Sequence, residues 1–132
     1  MSNLHHVEIY VSDLARSKQF WSWFLEKMNY QLYQEWPQGF SYKYDETYLV
    51  FVQTEKRFLQ QPYHRCTSGL NHLAFWVESP KEVDDWRDKL REQGVKLLYD
   101  EKYPFAGGED YYACYFEDPD RIKLELVARK QK

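Results

Sequence analysis

Two histidines and one glutamate in this sequence of 132 residues are placed so that they could bind one metal ion together. His6 lies in residues 4–11 and His72 in residues 70–77, two runs that align as Leu-His-His-Val-Glu-Ile-Tyr-Val and Leu-Asn-His-Leu-Ala-Phe-Trp-Val. Glu125 lies in the last apolar run of the chain. Imidazole and carboxylate groups together suit divalent Fe, Mn, Ni, Co or Zn. Three protein ligands leave positions open for substrate and water, which is the arrangement of a catalytic site.

The alternation of polar and apolar residues predicts that these three side chains face the same way. The apolar members, expected to pack on helices, are Val7, Ile9 and Val11 in the first run, Leu73, Phe75 and Val77 in the second, and Ile122, Leu124 and Leu126 in the last strand. The opposite face then carries His6, Glu8 and Tyr10, then His72, Ala74 and Trp76, and finally Lys123, Glu125 and Val127. His6, His72 and Glu125 are therefore predicted on one concave surface.

The elements that position these residues form a βαβββ module repeated twice. A single domain over residues 1–132 is predicted, with module one at about 4–54, a linker at about 55–69 and module two at about 70–128. The first helix is expected to begin at Ser12 or Asp13 and to end near Asn29, and the second to run from Ser79 to Gly94. Strands are predicted at residues 30–36, 40–44 and 48–53, and at 95–99, 111–117 and 122–127. Two such modules predict an α+β fold, a cup-shaped mixed sheet with helices on its outer face.

Helical spacing predicts which residues of each helix are buried. The expected faces are Leu14, Phe20, Trp23, Phe24 and Met28 in the first helix, and Val83, Trp86 and Leu90 in the second. Trp21 and Trp23 together are expected to lie between the first helix and the sheet.

Composition excludes several classes of function. The 18 basic residues are dispersed and the net charge is −3, which is unlike a nucleic-acid-binding surface. No apolar run approaches the ~20 residues of a membrane span, and no secretory signal is visible at the start. Cys66 and Cys114 are interpreted as reduced thiols, so a cytoplasmic location is expected. Aromatic residues make up 19% of the chain, enough to line a pocket for a small organic ligand.

Three segments resemble the glyoxalase / bleomycin-resistance / extradiol-dioxygenase superfamily, also called the vicinal oxygen chelate fold. Residues 4–14 look like the opening of its first module, residues 71–77 like the opening of its second, and residues 116–126 are similar to its closing hairpin. The last segment is the most specific, because a strong Asp-Pro-Asp turn precedes Glu125 at the family's ligand spacing. Carried over residue by residue, His6, His72 and Glu125 fall on family metal-ligand positions.

Two positions depart from the family pattern. The repeat places Val50 where the family's first module often supplies a fourth ligand, commonly glutamate. This departure counts against lactoylglutathione lyase activity and leaves a three-ligand site, or a weakened one. Arg121 stands where the family usually has glycine after Asp-Pro-Asp, so we expect it in a left-handed conformation or in a different turn.

Two functions of different classes follow. The first is a divalent-metal-dependent enzyme, of lyase, isomerase or dioxygenase type, acting on a small oxygenated substrate whose neighbouring oxygens the ion would chelate. In it His6, His72 and Glu125 hold the metal, Glu8 is the base, and Tyr10, Trp76 and Tyr115 line the substrate pocket. The second is a metal-free protein that binds an aromatic or cationic compound, as bleomycin-resistance relatives are thought to do.

Some residues keep structural alternatives. Glu125 could pair with Lys123, Glu8 could be a solvated strand residue, and the aromatic residues could serve packing alone. Residues 103–112 form either a lid or a plain strand connection. Open strand edges predict a homodimer, with each site closed within one chain or across two.

Overall fold

The computed structural model of the chain describes residues 2–130. Its fold consists of two compact units, Met1–Pro62 and Tyr63–Lys132. Residues 1, 131 and 132 of the predicted domain lie outside the described residues. Neither helix in the described part is long and apolar enough to cross a membrane.

The first unit is one βαβββ module with a mixed sheet. Its elements are β1 (His6–Val11), α1 (Leu14–Lys27), β2 (Gln31–Trp36), β3 (Gly39–Tyr44) and β4 (Thr47–Gln53). The strand order is β1-β4-β3-β2, with β1 parallel to β4 and the other pairs antiparallel. A short 3₁₀ turn, Lys56–Phe58, follows the sheet.

The second unit repeats this topology. It contains β5 (His72–Val77), α2 (Pro80–Glu92), β6 (Leu97–Leu98), a 3₁₀ turn (Asp100–Lys102), β7 (Ala113–Glu117) and β8 (Lys123–Ala128). Its order, β5-β8-β7-β6, matches the first sheet strand for strand, again with one parallel pair, β5 and β8. The predicted α+β class with two βαβββ modules is confirmed, and each module has its own four-stranded mixed sheet.

Helix α1 buries Trp21 and Phe24 as predicted, but the other residues of its buried stripe differ from the predicted ones. Ser17, Trp21, Phe24 and Leu25 are buried, whereas Phe20 and Trp23 are only half-buried. The prediction that Trp23 is buried was wrong. Aromatic residues lie on two neighbouring stripes of this helix, so the spacing alone did not show which stripe faces the sheet. The stripe that reaches the sheet is the one on which the ring of Trp21 packs 4.5 Å from that of Phe51.

The caps of both helices agree with the sequence prediction. Asp13, rather than Ser12, accepts a hydrogen bond from the backbone N–H of Arg16, and Ser79 accepts one from Glu82. The predicted face of α2 is confirmed, since Val83, Trp86 and Leu90 are buried. Both helices are followed by a residue in the left-handed conformation, Asn29 and Gly94, which ends them where predicted.

The alternation of the strands that carry the candidate residues is also confirmed. Ile9 and Val11 of β1, Phe75 and Val77 of β5, and Leu124 and Leu126 of β8 are buried. Tyr10 and Trp76 are 64% and 60% exposed on the opposite faces. Glu125 is an exception, because it lies on the polar face of β8 and yet is only 2% exposed.

Two strands of the second module, β6 and β7, are shorter than predicted. β6 covers Leu97–Leu98 instead of residues 95–99, because Tyr99 adopts a left-handed φ of 61° and a 3₁₀ turn follows. β7 begins at Ala113 instead of residue 111. Tyr111 is thereby released from the sheet and belongs to the preceding loop. Arg121 has a φ of 67°, as predicted for a residue in a glycine position.

The two thiols differ in environment, and this predicts different reactivity. Cys66 is exposed, whereas Cys114 in β7 is 2% exposed, and burial raises the pKa of its thiol to about 12. Because the thiolate is the reactive form, Ellman's reagent at pH 8 is expected to modify Cys66 rapidly and Cys114 only after unfolding. The Cys66→Ser variant should then show almost no fast reaction. Equal fast labelling of both thiols would contradict the buried position of Cys114.

Candidate metal centre

The middle of β8 places Glu125 at the centre of the second sheet. Its register partners are Ala74 on β5 and Tyr115 on β7, so it is flanked by a strand on each side. The first sheet has the same register, in which Val50 lies between Glu8 and Ser41. Val50 is therefore the structural counterpart of Glu125, and its apolar side chain, 3% exposed, contributes no ligand atom.

Both oxygens of the Glu125 carboxylate have partners. Oε1 lies 2.8 Å from Nε2 of His72. The hydroxyl group of Tyr111 donates a short hydrogen bond to Oε2. A buried carboxylate is costly unless it is paired and hydrogen-bonded, and these two contacts meet that requirement.

His72 has an oxygen atom at each ring nitrogen. Nε2 faces Glu125 Oε1, and Nδ1 lies 2.7 Å from the amide oxygen Oδ1 of Asn71. A neutral imidazole has only one N–H, so it can donate to only one of these two acceptors. The arrangement is satisfied either by an imidazolium ring or by a cation that Nε2 and the carboxylate bind together.

The separation of His72 Nε2 and Glu125 Oε1 is 2.8 Å, an ordinary hydrogen-bond distance. Two atoms at about 2.1 Å from one ion lie about 3.4 Å apart in a tetrahedral site and about 3.0 Å apart in an octahedral one. The pair is therefore closer to two neighbouring octahedral positions than to two tetrahedral ones. Among residues 63–130 no third His, Cys, Asp or Glu joins them in a group that could hold a metal.

Tyr115 and Lys123 form the wall of the site beside His72. The ring of Tyr115 lies 6.2 Å from that of His72 and 5.3 Å from that of Tyr99, both edge-on. Burial, with the nearby Glu125 charge, raises the pKa of Tyr115 to about 12, so its phenol is neutral at neutral pH. Lys123 donates to the Tyr99 hydroxyl at 3.0 Å. The predicted alternative pairing of Glu125 with Lys123 is not the one observed, because Glu125 binds His72 and Tyr111.

The loop before β7 contributes Tyr111, a site residue that the sequence analysis did not identify. A side chain at Gly107 would come within 2.6 Å of both the Tyr111 ring and the Tyr115 hydroxyl, so the loop backbone lies directly against the site. The only sequence signal was the glycine pair flanked by aromatic residues. Burial, and then the hydrogen bond to Glu125, raise the pKa of Tyr111, which keeps its phenol a donor.

A groove lies next to this site on the same unit. Its volume is about 290 Å³, and it is lined by Ala74, Phe75, Trp76, Asp110, Tyr111, Val127, Ala128 and Lys130. The guanidinium group of Arg129 covers the Trp76 ring at 4.6 Å. Tyr111 belongs to both the groove and the Glu125 site, so a molecule bound on Trp76 would lie beside the carboxylate.

The first unit holds the remaining candidates, His6, Glu8 and Tyr10. The imidazole ring of His6 is stacked on Tyr48, with centroids 4.9 Å apart and an interplanar angle of 8°. Its Nδ1 lies 2.9 Å from Nδ1 of His5. Glu8 and Tyr10 are exposed on the same face of β1. Two of the predicted ligands, His72 and Glu125, are thus together in the second unit, and the third lies at the equivalent strand position of the first.

Comparison with known protein families gives one match that spans most of the chain. The model of the Glyoxalase/Bleomycin resistance protein/Dioxygenase superfamily matches residues 3–126. The uncharacterized protein YqjT of Bacillus subtilis is 54% identical over 125 residues, which is 95% of this chain and 98% of that protein. Glutathione transferase FosA of Serratia marcescens is 28% identical over 126 residues, covering 96% of this chain and 80% of that protein.

Solved structures show the same fold. A Bacillus halodurans protein, provisionally described as a glyoxalase, is 52% identical with a TM-score of 0.94, covering 96% of this chain and 95% of that one. The fosfomycin resistance protein FosX of Listeria monocytogenes is 22% identical with a TM-score of 0.71, covering 98% and 95% of the two chains. The likeness to FosX bears on the fold alone.

Proposed function

The chain belongs to the Glyoxalase/Bleomycin resistance protein/Dioxygenase superfamily, and we propose that it is a divalent-metal-dependent enzyme acting on a small oxygenated organic substrate. The reaction would be of lyase, isomerase or dioxygenase type. The observation that carries this proposal is the 2.8 Å approach of His72 Nε2 to Glu125 Oε1 at a carboxylate that is almost fully buried. Divalent metals are common in the superfamily.

The ion would be held by His6, His72 and Glu125. The metal analysis described below identifies it among Fe, Mn, Ni, Co and Zn. A bound ion would polarise substrate oxygens as a Lewis acid. Tyr111 would orient the carboxylate by donating to Oε2, which turns Oε1 toward His72. Glu8 is proposed as a general base, since its exposed carboxylate on β1 is open to a substrate proton.

Metal analysis tests this proposal directly. Purified protein is reconstituted with each candidate ion, passed over a desalting column and measured by mass spectrometry. We expect about one ion per chain in the wild type, because one set of ligands binds one ion. His72→Ala lacks one of the proposed ligands, so it should carry only the background level of metal. His64→Ala is the matched control, since His64 is exposed and accepts from the backbone of Cys66, outside the proposed set. Background binding in wild type and both variants would end the proposal.

A metal-free binding protein is the second candidate function, and the groove on Trp76 favours it. Its aromatic and aliphatic walls suit a flat apolar molecule, and a net charge of −3 would attract a cationic one. One relative, FosA of Serratia marcescens, is a glutathione transferase, so glutathione belongs in the compound panel.

Thermal stabilisation separates the two functions. If the second is correct, an organic compound raises the melting temperature without metal, and Trp76→Ala removes the shift. Phe58→Ala serves as the control, since Phe58 is also exposed, at 46%, but lies in the 3₁₀ turn after the first sheet, outside the proposed pocket. Stabilisation by divalent ions alone would exclude the binding-protein function.

We further propose that the protein is a cytoplasmic homodimer. Strand β2 forms one edge of the first sheet, and all six of its residues are exposed, including Leu32, Tyr33 and Trp36. Such an edge is usually covered in the native assembly. Light scattering that gives a monomer mass at every concentration would exclude the dimer. Mixing His6→Ala with His72→Ala protein would restore metal binding only if the sites form across two chains.

A further inference from the structure

In both modules, the residue directly before a candidate ligand histidine contacts the same nitrogen of its ring. Asn71 Oδ1 lies 2.7 Å from His72 Nδ1. His5 Nδ1 lies 2.9 Å from His6 Nδ1. Residues 5 and 71 occupy equivalent positions of the repeat, one residue before β1 and β5. His5 and Asn71 thus make the same contact with a histidine Nδ1 atom, although their own side chains differ.

The position of the histidines in their strands explains how this contact forms. Within a strand, neighbouring side chains point to opposite faces and do not meet. His6 and His72 are each the first residue of a strand, so the preceding residue lies just outside the regular alternation of the strand. Its side chain can therefore turn back to the ring of the histidine.

We propose that Asn71 and His5 are positioning residues that accept the Nδ1 proton of the following histidine and leave Nε2 as the metal-binding atom. This inference rests on the proposed metal function and deepens it by naming the ligand atoms. A second partner of this kind fixes the tautomer and the ring orientation of a ligating histidine.

The contact at Asn71 gives the direction of the hydrogen bond on one side of the His72 ring. The amide oxygen Oδ1 only accepts, so this contact forms when Nδ1 carries a proton. Glu125 Oε1 also only accepts, so without a metal ion the ring satisfies both oxygens only as imidazolium. A metal ion on Nε2 would take the place of the second proton, while Asn71 keeps the first on Nδ1.

Module one reaches the same result with a different pair of groups. The stacking on Tyr48 fixes the plane of the His6 ring, and His5 faces its Nδ1 edge. One of the two facing Nδ1 atoms must carry the proton. The equivalence with module two assigns it to His6, with His5 as the acceptor and its own proton on Nε2.

Zinc affinity, measured by competition with a chromogenic chelator, tests the positioning role. Asn71→Leu keeps the side-chain shape without an acceptor and is expected to weaken Zn²⁺ binding by about 10–100-fold. Asn71→Asp and His5→Asn keep an acceptor and should retain affinity close to wild type. Asn3→Leu is the matched control, because this exposed asparagine donates to Glu46 and touches neither histidine. Equal affinity of Asn71→Leu and wild type would overturn the proposal.

Nitrogen-15 NMR of the imidazole rings gives a readout without metal. In a Glu125→Ala background at a pH where the rings are neutral, Asn71 alone faces His72, and the proton is expected on Nδ1. Adding Asn71→Leu should move it to Nε2. A proton on Nε2 while Asn71 is present would overturn the inference whatever the metal result. A proton on Nδ1 in a protein that binds no Zn²⁺ would instead support the ring orientation and reject the metal function.

Discussion

Replacement of Glu125 by glutamine is expected to weaken divalent-metal binding by more than about 100-fold while leaving the fold intact. Removing a group that merely supports a metal ligand already costs about 10–100-fold, and Glu125 is proposed as a ligand itself. The fold should survive because an amide has nearly the shape of the carboxylate. Its oxygen can accept from Tyr111, and its NH₂ group can donate to Nε2 of His72.

Titration calorimetry with Zn²⁺ or Mn²⁺ measures this effect, and the chain supplies a close control. Glu117 is a second buried glutamate on the same sheet, 7% exposed, but it pairs with Arg65. Glu117→Gln should therefore retain metal affinity while losing stability, the reverse of Glu125→Gln. Unchanged metal affinity in Glu125→Gln would remove Glu125 from the ligand set.

Arg65→Met is expected to lower the free energy of unfolding by about 2–4 kcal/mol, because it leaves a buried carboxylate without its main partner. Arg65 Nη1 donates to Glu117 Oε2 at 2.6 Å and to the backbone oxygen of Arg121 at 3.0 Å. The Glu117 side chain is 5% exposed. Arg121 Nε, 3.5 Å from the same carboxylate, remains as a weaker partner and limits the loss.

Urea unfolding followed by circular dichroism gives the comparison, with Arg57→Met as the control. Arg57 also pairs with a glutamate, Glu55, but both side chains are more than half exposed. Exposed pairs contribute about 0–1 kcal/mol, so this variant should unfold close to wild type. Equal losses of unfolding free energy in the two variants would show that the buried ion pair contributes no more stability than the exposed one. A stable Arg65→Met protein would also imply that residues 63–70 are held by other contacts, such as the hydrogen bond from Tyr63 to Leu70.

The sequence alone was sufficient for the division into two modules and for the faces of the strands. The repeat of residues 4–11 in residues 70–77 predicted two equal modules, and both sheets have the same strand order. The alternation in β1 and β5 placed Tyr10 and Trp76 outward, as observed. These features follow from backbone geometry over a few residues, because a strand has a period of two whatever it packs against. The helix ends at Asn29 and Gly94 are local in the same sense.

Only the tertiary structure decided which groups surround Glu125. The alternation placed this residue on the polar face, but its burial depends on Tyr111, which reaches it from a loop 14 residues earlier. The choice of Trp21 over Trp23 in the core depended on where Phe51 lies. The pairing of Arg65 with Glu117 joins residues 52 positions apart. Such contacts depend on how loops and sheets pack, and a pattern that repeats every two or four residues carries no information about partners so distant in the chain.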